Sequence, residues 1–128
     1  MRLAVVVLQN AIRLIGVILI VLGFLFWAKQ ALNWVPLHMR LGETEVFLLW
    51  VMAILALSAR INIGLVVTAF LWGLLTVGFG LRMGVLLPGP AHEVIRVLHF
   101  LIGLGAIGLA EALAARIKRS GRWAAAAS

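Results

Sequence analysis

Residues 92–116, HEVIRVLHFLIGLGAIGLAEALAAR, decide the fold of this chain. The segment is long enough to cross a bilayer, since about 20 helical residues at about 1.5 Å each span the hydrocarbon core. Its ionisable and small side chains recur every three or four residues, which places them along one side of a helix. The residues of this stripe are His92, Arg96, His99, Gly103, Ala106, Ala110 and Ala114. We expect this stripe to face other helices, with two imidazoles pointing inward near one membrane surface.

The composition of the whole chain also requires a non-aqueous environment. Of the 128 residues 65% are apolar, and the mean hydropathy is +1.19, whereas a soluble domain is roughly 45–50% apolar. No stretch is polar enough for a linker or a soluble module, so we predict one membrane domain over 1–128. The absence of cysteine excludes disulfides, thiolate nucleophiles, iron–sulfur clusters and cysteine zinc sites.

Four apolar segments predict membrane spans at about 11–34, 36–58, 63–87 and 92–116. Breaks near Pro36, at the Arg-Ile-Asn sequence of 60–62 and at the Pro-Gly-Pro sequence of 88–90 separate them. The predicted fold class is therefore all-α, an integral-membrane four-helix bundle.

The charges indicate the orientation of this bundle. Four spans place both termini on the same side of the membrane. That side contains seven Lys and Arg residues, and the opposite side contains four. The seven are Arg2, Arg13, Arg60, Arg116, Lys118, Arg119 and Arg122. By the positive-inside rule both termini are cytoplasmic. The net charge of +7 is thus a topology signal, and no nucleic-acid partner is expected.

Three histidines, His38, His92 and His99, fall in the outer half of the predicted bundle. A histidine within a span is costly and faces the bundle interior by default. Neutral imidazole is the usual axial ligand of haem, and four-helix bundles hold cofactors between facing helices.

The pattern Leu-His-x-x-x-Gly occurs twice, as LHMRLG at 37–42 and as LHFLIG at 98–103. Both copies lie on descending helices, and two hairpins related by an axis along the membrane normal would bring them face to face. A glycine one turn from each histidine, Gly42 or Gly103, would leave room for a flat macrocycle against the backbone. Arg40 and Arg96 could bind its propionates.

In this histidine-to-glycine spacing and in the bundle topology, the chain resembles small bacterial four-helix membrane cytochromes of the b type. The resemblance implies haem b, electron transfer without enzymatic catalysis, and the bacterial plasma (inner) membrane as location. His99 would be one iron ligand, with His38 or His92 as the other. The cofactor-binding residues expected on this basis are His99, His38, His92, Arg96, Gly103 and Gly42.

Two other functions fit the same sequence. One is a non-catalytic structural or accessory subunit of a larger membrane complex. The other is a pigment-binding protein in which a single histidine ligates a chlorophyll-type magnesium. The expected partners are the lipid bilayer together with other membrane protein subunits or further copies of the chain.

The remaining polar and small residues favour structural roles. Glu43, Glu45 and Glu93 could suggest a proton or cation path, but a relay needs carboxylates at membrane depth. These three are expected near the outer surface, in ion pairs with Arg40 and Arg96 and in contact with lipid headgroups. Glu111 is expected to pair with Arg116 or Arg60 at the cytoplasmic end. The GxGxxG sequence of 103–108 falls within a span, so we interpret its glycines as packing residues and not as a dinucleotide site.

Overall fold

The computed structural model describes residues 1–121, and these form four long helices. The helices are α1 (Arg2–Trp27), α2 (Val35–Ser58), α3 (Ile63–Arg82) and α4 (His92–Arg119). Short 3-10 turns, Leu32–Trp34 and Met83–Val85, precede α2 and follow α3, and 1–121 contains no strand. The predicted all-α, four-helix class is confirmed. Arg122, which we counted in the charge bias, lies outside the described residues.

The predicted first span, 11–34, belongs to a helical pattern that begins at about Leu3. The observed helix α1 occupies 2–27, so it ends seven residues before the predicted limit. The helix ends early because Lys29 adopts a left-handed backbone conformation with φ of 59°. Its N–H donates to the carbonyl of Phe26 at 2.9 Å, and the N–H of Gln30 donates to that of Leu25 at 2.8 Å. This pair of bonds is a Schellman cap, which stops a helix.

The same cap ends α2, and it forms the predicted turn at 60–62. Arg60 has φ of 58°, and its N–H donates to Leu57, while the N–H of Ile61 donates to Ala56. Asn62 then begins α3, because its side-chain oxygen accepts from the N–H of Gly64 at 2.8 Å, as N-caps do. The two helices are therefore joined by a sharp turn.

The helices alternate in direction, and each contacts its two neighbours around the bundle. Helices α2 and α4 also touch across the diagonal, whereas within 1–121 α1 and α3 do not contact each other. Alanines at the centre, including Ala53 and Ala56 on α2 and Ala106 and Ala110 on α4, are almost fully buried, and small side chains let helix backbones approach closely. The two parallel helices that carry the Leu-His-x-x-x-Gly motifs are thus directly opposed.

A polar cluster ties α1 to α4 near the termini. Glu111 accepts hydrogen bonds from Arg13 Nε at 2.7 Å and from Gln9 Nε2 at 2.6 Å, and the Gln9 side-chain oxygen accepts from Lys118. The predicted pairing of Glu111 with Arg116 or Arg60 is therefore wrong. The two predicted partners leave α1 out, whereas α1 runs beside the last turns of α4 and brings Arg13 and Gln9 next to Glu111.

The outer surface of the bundle is apolar. Large side chains such as Leu14 (64% exposed), Leu71 (61%) and Leu101 (53%) point away from the core. All four helices are long and apolar enough to cross a membrane. Large exposed apolar side chains that cluster on a surface commonly mark contact with a membrane or with another protein.

The central glycine of the GxGxxG sequence is a packing residue, as predicted. A Cβ on Gly105 would stand 2.6 Å from the Trp72 ring, and the Trp72 indole N–H donates to the carbonyl of Ile102 at 2.9 Å. Nothing lies within 4 Å of a Cβ on Gly103 or Gly108. Of these three glycines, Gly105 is therefore the one that allows the close approach of α3 and α4.

We expect Gly105→Ala to destabilise the bundle by about 1–3 kcal/mol, the usual cost of overpacking a tight contact. The matched control is Gly108→Ala on the same helix, which should be neutral or stabilising by up to about 1 kcal/mol, the helix-propensity difference between the residues. Unfolding in detergent followed by circular dichroism measures both variants. Equal stability of the two would show that Trp72 does not pack on this glycine.

Candidate cofactor site

A cavity of about 560 Å³ lies between the four helices in the half of the bundle distant from the termini. Its volume is in the range of small-molecule and cofactor sites, about 300–1,000 Å³. All four helices line it, and most of the lining side chains are apolar. The titratable side chains that border it are His38, Glu43, Glu45, His92, Arg96 and His99.

His38 of α2 and His99 of α4 face each other in this cavity, with ring centroids 6.2 Å apart and planes inclined by 52°. Two imidazoles bound to opposite sides of one metal ion have ring centres about 6 Å apart, because each metal–nitrogen bond is about 2 Å and the nitrogen lies about 1 Å from its ring centre. The spacing of this pair therefore suits two ligands of a single metal. Of the two partners that the sequence leaves open for His99, the structure brings His38 next to it.

Each imidazole is flanked by a glycine and a phenylalanine of the preceding helix. His38 lies 3.9 Å (Cε1) from the position of a Cβ on Gly23, and its ring meets Phe26 edge-on at 5.3 Å. His99 Cε1 lies 3.4 Å from the corresponding position on Gly80, and its ring is nearly parallel to Phe79 at 6.3 Å. The glycine and the phenylalanine are three residues apart in α1 but adjacent in α3. Because the two helices do not share this spacing, the repeated sequence pattern does not predict the flanking residues.

The Nδ1 atoms of both rings are buried and have no hydrogen-bond partner. Buried polar atoms are nearly always paired, since an unpaired one costs free energy. The hydrogen bonds within the bundle therefore do not explain why these two histidines are buried.

Both motif glycines, Gly42 and Gly103, also border the cavity. A Cβ on either one would meet no atom within 4 Å. Each glycine thus leaves open space beside the backbone one turn after a facing histidine, in the place where the sequence predicts room for a macrocycle.

His92 borders the cavity from the first residue of α4, and its Nδ1 lies 3.1 Å from the carbonyl of Leu86. It stands seven residues before His99, about 10 Å along the helix axis. The His92 ring already has a hydrogen-bond partner, in contrast to His38 and His99.

The two arginines proposed for propionate binding occupy different places. Arg96 borders the cavity and donates to Glu93 at 2.6 Å. Arg40 is not among the lining residues, its side chain is 80% exposed, and it pairs with Glu43 at 3.0 Å. The predicted ion pairs of Glu43 and Glu93 are confirmed, and Arg96 alone of the two arginines is positioned beside the cavity.

Glu45 contradicts the prediction of an outer ion pair. Its exposure is 5%, neither carboxylate oxygen has a hydrogen-bond partner, and Oε1 lies 3.5 Å from the position of a Cβ on Gly16. It is inside because α2 is continuous from Val35 and residue 45 lies two turns after His38 on the same face. The spacing of His38, Glu45, Leu49 and Met52 could have revealed this inward direction.

Within 1–121 no group of three or more His, Asp or Glu side chains could hold a metal ion. Two facing imidazoles alone are a poor site for a bare ion, which usually takes four or more ligands. They suit a metal that carries its own equatorial ligands, as iron does in haem.

Comparison with known proteins found no matching family model, curated protein or solved structure. The functional interpretation therefore depends on the chemistry of the site itself, as it must for any fold that hosts many functions.

Proposed function

We propose that this chain is a small integral-membrane cytochrome that binds one haem b between His38 and His99 and transfers electrons. The observation that carries the proposal is the facing of two imidazoles, 6.2 Å apart, across a cavity of cofactor size. The residues that surround them form no enzyme-like set of nucleophile and base. The proposed role is therefore that of an electron carrier and not of an enzyme.

The residues present fit such a group in three ways. His38 and His99 would be the axial ligands, Gly42 and Gly103 leave space beside the backbone, and Arg96 would bind a propionate. Haem would supply reversible one-electron chemistry, at a potential set by its ligands and by burial. The walls of the cavity are mostly apolar, so the haem would lie in an environment of low dielectric constant.

We place the protein in the bacterial plasma membrane with both termini in the cytoplasm. The four apolar helices and the excess of Lys and Arg on the terminal side support this orientation. We expect a cysteine at Gly89 to react with an impermeant reagent added outside intact cells, and one at Ser120 to react only after lysis. Labelling in the opposite sense would reverse the proposed topology.

The proposed partners are the surrounding lipid and other membrane protein subunits or further copies of this chain. An electron carrier needs a donor and an acceptor, and the described part of the chain contains no soluble domain to recruit them. Exposed apolar faces such as that of Leu71 and Leu101 are suited to lateral contact within the bilayer.

A visible absorption spectrum of the purified protein tests the proposed function. Bis-histidine haem gives a Soret band and a sharp α band on reduction, and the expected content is one haem per chain. Near-infrared absorption would instead assign the site to a chlorophyll-type pigment. A protein that is purified without colour and binds no added haem would exclude the haem and pigment functions and favour the role of a structural subunit.

A further inference from the structure

We infer that Glu45 is a proton-binding site coupled to the oxidation state of the His38–His99 centre, so that the protein takes up a proton when it accepts an electron. This inference rests on the proposed haem function and extends it. It assigns a chemical role to a side chain for which the fold provides no structural one.

The burial and isolation of Glu45 carry the argument. The residue is 5% exposed, borders the cavity and has no hydrogen-bond partner for either oxygen. A buried carboxylate is normally paired or hydrogen-bonded, and an unpaired one favours its neutral, protonated form. An intramembrane carboxylate placed this way is a functional residue by default.

The surroundings of Glu45 offer no fixed counter-charge. Neither α1 nor α3 contributes a titratable side chain to the cavity. Gly16 of α1 lies beside Glu45, and the nearby cation Arg13, one turn away on the same helix, forms an ion pair with Glu111. The titratable side chains that α2 and α4 place around the cavity are His38, Glu43, His92, Arg96 and His99.

Of these, the charged ones already have partners on their own helices. Glu43 pairs with Arg40, and Arg96 pairs with Glu93. The remaining interior groups are His38 and His99, which the proposed function places on the metal. Among the groups that line the cavity with Glu45, the one whose charge would change on electron transfer is therefore the proposed metal centre.

Charge balance gives the direction of the coupling. The oxidised haem centre would carry a net positive charge, and this charge would stabilise the Glu45 carboxylate among apolar side chains, where charges interact strongly. An electron from a membrane donor would cancel the positive charge, and a proton from water would then neutralise the carboxylate, so the net charge of the site would stay the same. Oxidation releases the electron to an acceptor and the proton to water, so each cycle moves one electron and one proton.

The inference is tested by measuring the midpoint potential of the haem protein at pH values from about 5 to 9, the range in which buried carboxylates titrate. Dithionite serves as the reductant and ferricyanide as the oxidant. The wild type should fall by about 59 mV per pH unit over part of this range, since one proton per electron changes the equilibrium constant tenfold. Glu45→Gln should bind haem and lose this slope. The matched control Glu43→Gln, on the same helix but exposed and paired, should keep it.

Redox-difference infrared spectra give a second readout. The carbonyl band of a protonated carboxylic acid should appear on reduction in the wild type and in Glu43→Gln, and should be missing in Glu45→Gln. A pH-independent wild-type potential, or an unchanged slope in Glu45→Gln, would overturn the inference and leave the haem function intact. A wild type without haem would overturn both. The wild-type titration decides the question even if Glu45→Gln does not fold.

Discussion

Replacing either His99 or His38 by alanine should abolish haem binding, while His92→Ala should leave the haem content of the protein unchanged. The first two imidazoles face each other in the cavity at 6.2 Å and have no other partner for Nδ1. His92 is instead bonded to the Leu86 carbonyl. Either substitution would remove one of the two proposed protein–iron bonds, so we expect the loss of haem to be complete.

The measurement is the ratio of haem to protein in the visible spectrum of each purified variant, with helical content from circular dichroism as the test of folding. His99→Phe is the matched folding control. It keeps an aromatic ring beside Phe79 and sacrifices no internal hydrogen bond of Nδ1, so we expect a stable, colourless bundle. Full haem content in His99→Ala would remove both the haem and the pigment functions from this site. Loss of haem in His92→Ala alone would assign the second ligand to His92.

The helical architecture follows from local sequence signals that need no tertiary information. Long apolar segments, the Pro-Gly-Pro break at 88–90 and the Asn62 cap specify four helices. The end of α1 was harder to predict. Its cap requires Lys29 in a left-handed conformation, and this backbone state is uncommon for a residue other than glycine.

The site could be predicted in part. The repeated Leu-His-x-x-x-Gly pattern correctly predicts that His38 and His99 meet, because the parallel helices α2 and α4 touch across the diagonal. It does not reveal Phe26 or Phe79, which come from the neighbouring helices. Their positions depend on how each hairpin turns, and the two connections differ in length.

The charged residues depart most from the sequence-based predictions. Glu43 and Glu45 are close in sequence and share one prediction, although two residues along a helix turn a side chain through about 200°. Glu43 is exposed and pairs with Arg40 beside the cavity, whereas Glu45 is buried. Glu111 is predicted to pair with Arg116 or Arg60, whereas its partner in the structure is Arg13, 98 residues distant in sequence.

Gly103→Leu should lower haem affinity at least tenfold, about 1.4 kcal/mol, without unfolding the bundle. A Cβ at Gly103 enters open space that borders the cavity. The leucine side chain would therefore occupy volume that the cofactor needs, one turn after His99. Because it also fills an empty apolar space, the haem-free variant should be as stable as the wild type or up to about 2 kcal/mol more stable.

The matched control is Gly108→Leu, which places the same side chain on the same helix. A Cβ at Gly108 is equally free of contacts, but this residue does not border the cavity, so its haem affinity should equal that of the wild type. Haem titration of the two proteins, followed at the Soret band, measures the difference. Equal affinity in both variants would show that the cofactor does not use the space beside Gly103. Reduced affinity only in Gly103→Leu, with unchanged helical content, would locate the cofactor between the motif glycines, since a change in folding could not then account for the loss.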